Sequence, residues 1–224
     1  MKTSKLLFLA STVWILGTSA AEAQTLNWFS LRQEQRNIVT VNAGYDYAFA
    51  YGIGYGRQLN TKLPTVINAD FTQPAGEQLF DDFKTKIGAQ VLVHRINHVH
   101  FIVKVQGVFR RYHNEYVRLL NFGSDMSGVI GYYRSHWFAA GEFGFDKAIV
   151  THFKHSDLYR ADFPTVKDGW YKPATGGNFY FGLQAGYSFG SNDITLKLGR
   201  VVQEDFQTNP TIPFYLQIGF NRRF

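Results

Sequence analysis

The sequence predicts an all-β fold: a transmembrane, antiparallel, up-and-down β-barrel of about ten strands. Three observations carry this. Segment after segment alternates apolar and polar residues with period two, the signature of strands that meet different environments on their two faces. Aromatics make up 17% of the chain, with 21 Phe, 13 Tyr and 21 Gly but no Cys. Such a chain has no disulfides to hold it and depends on sheet closure and packing. The connections alternate between short turns and longer loops, as up-and-down barrels arrange them.

The first residues are not part of that fold. Lys2 and Lys5 precede an apolar run over residues 6–16, and small residues follow, ending in Ala21-Glu22-Ala23. This is the pattern of a cleaved secretory signal, and the run is shorter than the roughly 20 apolar residues a membrane-crossing helix needs. Residues 1–23 are therefore expected to be a removed signal peptide. Residues 24–36 are expected to be a short polar segment outside the barrel, and 37–224 the barrel as one domain. The formal net charge of +6 suits anionic lipid. No Lys/Arg run or recognition helix points to nucleic acid.

The strands follow in order. Residues 37–45 set Val39, Val41, Ala43 and Tyr45 on one face, and a tight turn near Asp46-Tyr47 leads into 48–59. There Phe49, Tyr51, Ile53 and Tyr55 oppose Ala50, Gly52, Gly54 and Gly56. A glycine column leaves room inside a narrow barrel or lets a large neighbour lie across the strand. The glycines do not read as a phosphate loop, because no helix follows them. After a turn at 60–62, a third strand runs through Phe71, with a longer loop over 72–81. Residues 82–94 set Phe83, Ile87, Ala89, Val91 and Val93 against Lys84, Lys86, Gln90 and His94; 98–110 set Val99, Phe101, Val103, Val105 and Phe109 against His98, His100, Lys104, Gln106 and Arg110. A long loop is expected over 111–125, then strands at 126–134 and 136–146, and the longest loop over 147–177. Residues 178–189 alternate most cleanly, turn at 190–192, and return through Ile194, Leu196 and Leu198; 204–210 loop into the last strand.

That last strand places Phe214, Leu216, Ile218 and Phe220 on one face, Tyr215, Gln217, Gly219, Asn221 and Arg223 on the other, and stops at Phe224. It resembles the C-terminal signal of bacterial outer-membrane β-barrels. The resemblance is one of architecture and singles out no particular family. It implies a Gram-negative outer membrane, with lipid and lipopolysaccharide around the barrel. It also implies an assembly signal at Phe220 and Phe224 for the barrel assembly machinery. Short turns and both termini would then lie on the periplasmic side and long loops outside, with residues 24–36 periplasmic.

With the apolar face toward lipid, the lumen is expected to hold a charge network of Lys84, Lys86, Lys104, Arg110, Glu142, Asp146 and Lys197. Charges in so narrow a space must pair or reach water. The alternative is a basic constriction that selects anions. His94, His98 and His100 are a candidate Zn or Cu site, three imidazoles near one turn. In the loop 147–177, His152, His155, Ser156, Asp157, Tyr159, Asp162 and Asp168 could supply an acyl-transfer site like that of lipid A-modifying barrels, though no nucleophile elbow is present. The expectation is a non-enzymatic barrel without cofactor: a structural or accessory subunit of a larger outer-membrane complex. A small anion-selective pore is the second reading and a lipid A-modifying enzyme the third.

Overall fold

A computed structural model describes residues 24–45, 48–76, 80–173, 176–206, 210 and 212–224. The expected signal peptide, residues 1–23, and the expected turn near Asp46-Tyr47 lie outside the described residues. Among the described residues, eleven strands and one short helix follow in chain order: β1 (Asn37–Tyr45), β2 (Phe49–Leu59), β3 (Thr65–Pro74), β4 (Asp82–Ile96), β5 (Val99–His113), β6 (Val117–Tyr133), β7 (Trp137–His155), α1 (Asp157–Asp162), β8 (Gly169–Tyr171), β9 (Gly177–Phe189), β10 (Asn192–Gln203) and β11 (Phe214–Arg223). Ten of them close a ring in which each strand pairs antiparallel with its neighbours in sequence. β8 instead adds three residues to the end of β7, outside the ring. Closure comes from β1 against β11, running from Ile38↔Arg223 to Tyr45↔Leu216. The backbone of Phe224 extends the seam by two hydrogen bonds of 2.9 Å with Asn37.

The faces sort as the alternation predicts. Ile53, Ile87, Phe143, Leu183 and Ile218 point outward with more than half their surface exposed, while Lys86, Gln90, Glu142, Gln184 and Asn221 are buried within. This is the inverse of a water-soluble barrel, whose apolar side chains fill the interior. Phe220 and Phe224 are both on the outer face.

An aromatic belt rings part of the loop end of this exterior. Ring contacts run Phe80–Phe71 (6.3 Å), Phe71–Phe83 (5.4 Å), Phe83–Phe109 (5.9 Å), Phe109–Phe122 (5.0 Å) and Phe122–Trp170 (6.0 Å). Near the chain termini, Tyr132 meets Trp137 at 5.6 Å, and Trp137 lies in register with Tyr187. Ten steps of β6 separate Phe122 from Tyr132. At ~3.3 Å per residue and a strand tilt of ~40° that is ~25 Å along the barrel axis, the height of a transmembrane barrel's apolar band.

Three sequence-based expectations change. Residues 111–125 do not form a long loop, because β5 continues to His113 and β6 begins at Val117. Much of 147–177 is also ordered: β7 runs on to His155, followed by α1 and β8. Beyond the belt these strands reverse their polarity, with Val117 and Leu119 buried inward and Arg118 exposed outward. The extension therefore packs as a sheet in water does. The third change is at the N-terminus: residues 24–28 are buried inside the barrel.

Candidate functional site: a filled lumen

The lumen is closed in two layers. Toward the termini, Leu26 and Trp28 pack against Ile38, Val66, Leu92, Ile102, Val129, Tyr133 and Phe138. Polar wall residues take up the backbone that these two side chains bring in. Gln90 donates to the Gln24 carbonyl (3.1 Å) and Asn221 to the Thr25 carbonyl (2.7 Å). Asn27 donates to Ser188 Oγ (2.8 Å) and to the Arg134 carbonyl (2.9 Å), and Arg223 donates to the Ser30 carbonyl. A side chain at Gly56 would run into that of Gln24, and one at Gly54 into Asp70 and then Gln24. Part of the glycine column is thus the space this segment occupies. Phe29 adds ring contacts to His98 (5.6 Å) and His100 (6.5 Å).

The middle layer is ionic. Lys104 and Lys197 converge on Glu142, with Nζ 3.1 Å from Oε1 and 2.7 Å from Oε2. Lys86 pairs with Asp125 at 2.6 Å, and Tyr180 donates to the other oxygen of that carboxylate at 2.6 Å. All of these side chains are buried. Lys197 Nζ also lies 6.0 Å from the centre of the Tyr180 ring and 5.6 Å from that of Tyr215, within reach of cation–π attraction. A side chain at Gly144 would clash with Tyr180, so the glycine lets the phenol lie across β7. Nearer the loops, Arg110 grips Asp82 with both ends of its guanidinium, at 3.1 and 2.8 Å. Lys84 and Asp146 are buried in the same interior.

The expected charge network leaves out Asp125 and Asp82, which answer Lys86 and Arg110. Asp125 fell at the end of the expected loop, although Asn121, Asp125 and Ser127 already alternate with Phe122 and Met126.

The three histidines do not converge. The register of β4 on β5 shifts between Leu92 and His94, so one residue bulges and His94 turns to the outer face beside Phe101 (ring centres 6.0 Å apart). His100 is buried and stacks on Tyr133 at 4.8 Å, while His98 lies against Tyr132 at 5.4 Å. Among the described residues no group of three His, Asp or Glu side chains could hold a metal ion.

At the tip of β7, Asp168 faces His155 Nδ1 at 2.9 Å, but the Ser156 hydroxyl is spent capping α1, where it accepts from the Tyr159 N–H at 3.2 Å. Each of the two side chains thus has a structural partner, the N-terminus of α1 for Ser156 and Asp168 for His155. The His155 backbone N–H (2.9 Å), then its side chain, and the Arg160 guanidinium hold the Asp168 carboxyl below the usual carboxylate range. A lowered folded-state pKa adds stability above the unfolded value of about 4, and that stability is lost as pH falls through the lowered value. Hydrogen exchange of the 155–168 tip should therefore accelerate only below about pH 4, with the barrel strands still protected. Acceleration that sets in well above about pH 4 would show that the tie does not depend on this carboxylate.

The sequence matches no protein-family model, and no curated protein matches it. Among solved structures, similarity extends to a KdgM porin in complex with disordered oligogalacturonate, at 7% identity and a TM-score of 0.41, over 84% of this chain and 99% of that one. It extends also to the Yersinia pestis outer membrane protein Ail in a phospholipid bilayer nanodisc, at 11% identity and a TM-score of 0.32, over 85% of this chain and 99% of that one.

Proposed function

We propose that the chain is an integral β-barrel of a Gram-negative outer membrane that does not conduct, and that it serves as a structural or accessory subunit of a larger outer-membrane assembly. The observation that carries this is the lumen, filled once by the chain's own residues 24–28 and again by paired charges and two tyrosines. A pore selecting anions needs cations that face water, whereas Lys86, Lys104, Lys197 and Arg110 each face a carboxylate. The exterior supports the membrane. A belt-to-belt height of ~25 Å is what a bilayer core covers, and large apolar side chains fill the exterior. The extension of β5, β6 and β7, capped by α1 and β8, offers an ordered surface on which a partner would dock. The C-terminal Phe220 and Phe224 fit recognition by the barrel assembly machinery, and the chain ends would lie on the periplasmic side.

Planar-bilayer recordings on the purified protein should show no unitary channels, and steady single-channel currents would replace this reading with the pore. Extraction in mild detergent should bring down a stoichiometric outer-membrane partner. A chain that elutes alone would leave a stand-alone barrel.

The membrane itself has a separate test. Leu183 faces outward on β9 and its neighbour Gln184 faces in. Leu183→Arg should cost about 2–4 kcal/mol in urea unfolding from lipid vesicles, as an arginine near the midplane does. Were Gln184→Leu the more damaging change by that margin, the outer face would be meeting water instead.

A further inference from the structure

Just beyond the aromatic belt, the outward face of the β5–β6–β7 extension carries a row of cations. His113 lies in register opposite Arg118, and Arg118 opposite Lys154. All three are exposed. Like charges directly opposite one another in a sheet repel and destabilise it, so the row needs compensation. His113 has Asp81 at 3.3 Å. Among the described residues Arg118 and Lys154 form no ion pair. Two residues toward the belt, Arg111 stands opposite Leu120, and its buried Nε has no hydrogen-bond partner. Below that row come Phe109 and Phe122 of the belt itself. A recess of about 470 Å³ opens at the row, lined by Arg118, Lys154 and His113 with Asp81, Glu115 and Ser156 among the rest.

We infer that this row binds the phosphate-bearing sugar headgroup of an outer-leaflet lipid, with Arg118 and Lys154 as the principal contacts and Arg111 and His113 beside them. A phosphate between Arg118 and Lys154 converts their repulsion into two charge-assisted hydrogen bonds, and a guanidinium can hold it through two N–H groups at once. The source is a lipid and not a free anion because the row is continuous with the belt. The acyl chains of a molecule whose phosphate sits here run down over Leu120, Phe109 and Phe122. The recess, larger than a phosphate alone needs, has room for a sugar. Asp81 and Glu115 border it, which favours a ligand that also offers hydroxyl donors.

This rests on the membrane reading, and its test separates the two. The full-length protein in detergent is titrated with bisphosphorylated lipid A, with the same lipid stripped of its phosphates, and with glucosamine 1-phosphate. The expected result is an affinity for the bisphosphorylated lipid at least tenfold above that for either other probe. Arg118→Glu with Lys154→Glu should abolish that preference, and Arg118→Gln with Lys154→Gln should weaken it. Arg57→Glu with Lys62→Glu, at the opposite rim, should leave it intact. Equal binding of phosphorylated and stripped lipid overturns the inference, as does a preference that survives the double charge reversal. Glucosamine 1-phosphate binding as tightly as the lipid overturns the lipid source. A protein that needs detergent yet shows no phosphate preference defeats the inference and leaves the membrane reading standing. The probe comparison on the unaltered protein decides the matter even where a variant fails to fold.

Discussion

Glu142→Leu is expected to destabilise the barrel by about 3–5 kcal/mol, the cost of leaving buried charge without its partner. Two lysines depend on this one carboxylate. Lys104 Nζ and Lys197 Nζ contact its two oxygens, and all three side chains are almost wholly removed from solvent. Leucine fills similar space but strands both ammonium groups in a narrow interior, where the tyrosine faces beside Lys197 offset only a fraction of the loss. Lys197→Met alone should cost less, since Glu142 keeps Lys104. The triple change Glu142→Leu, Lys104→Met, Lys197→Met should recover most of the stability, because an apolar replacement of a whole buried ion cluster is often neutral. The measurement is urea unfolding of vesicle-embedded protein for the three variants. If the single and triple variants unfold alike, the lysines have another source of compensation and the central layer is wetter than its burial implies.

The barrel was legible in the sequence where its two faces differ most. Strands β9 and β11 carry an exposed apolar face on one side and line a polar lumen on the other, so every second residue changes character. The same alternation sorted Glu142, Lys104 and Lys197 onto one side. It failed where that contrast ends. Beyond Phe122 the outward face of β6 turns polar and its buried inward face apolar, so the outward Arg118 and inward Leu119 reverse the expected polarity, and the strand reads as loop. It failed again at the bulge after Leu92. One extra residue there carries His94 to the outer face, and nothing in the apolar pattern of 82–94 marks the place. The N-terminal segment was the least legible. Leu26 and Trp28 are two apolar residues in a polar stretch too short to show a period, and the partners that bury them come from six strands far apart in sequence.

That segment is the second place where a large effect is expected. Trp28→Ala should destabilise the folded barrel by about 3–5 kcal/mol, the usual cost of emptying a buried aromatic site. Leu26 lies in the same cluster, so Leu26→Ala and Trp28→Ala should not add. Fluorescence gives an independent check on where Trp28 sits. The sequence has four tryptophans, of which Trp14 falls in the expected signal peptide. Trp137 and Trp170 are exposed on the outer face, whereas Trp28 is buried in the lumen. In vesicles of brominated lipid, Trp137 and Trp170 should be quenched. In a variant with Trp137→Phe and Trp170→Phe, the remaining emission from Trp28 should resist both brominated lipid and aqueous iodide. Strong iodide quenching would place the segment outside the barrel, in water, and a Trp28→Ala variant as stable as the parent would agree with it. The lumen would then be closed by the ionic layer alone, and the two-layer seal on which the non-conducting reading rests would be reduced to Glu142, Asp125 and the cations they hold.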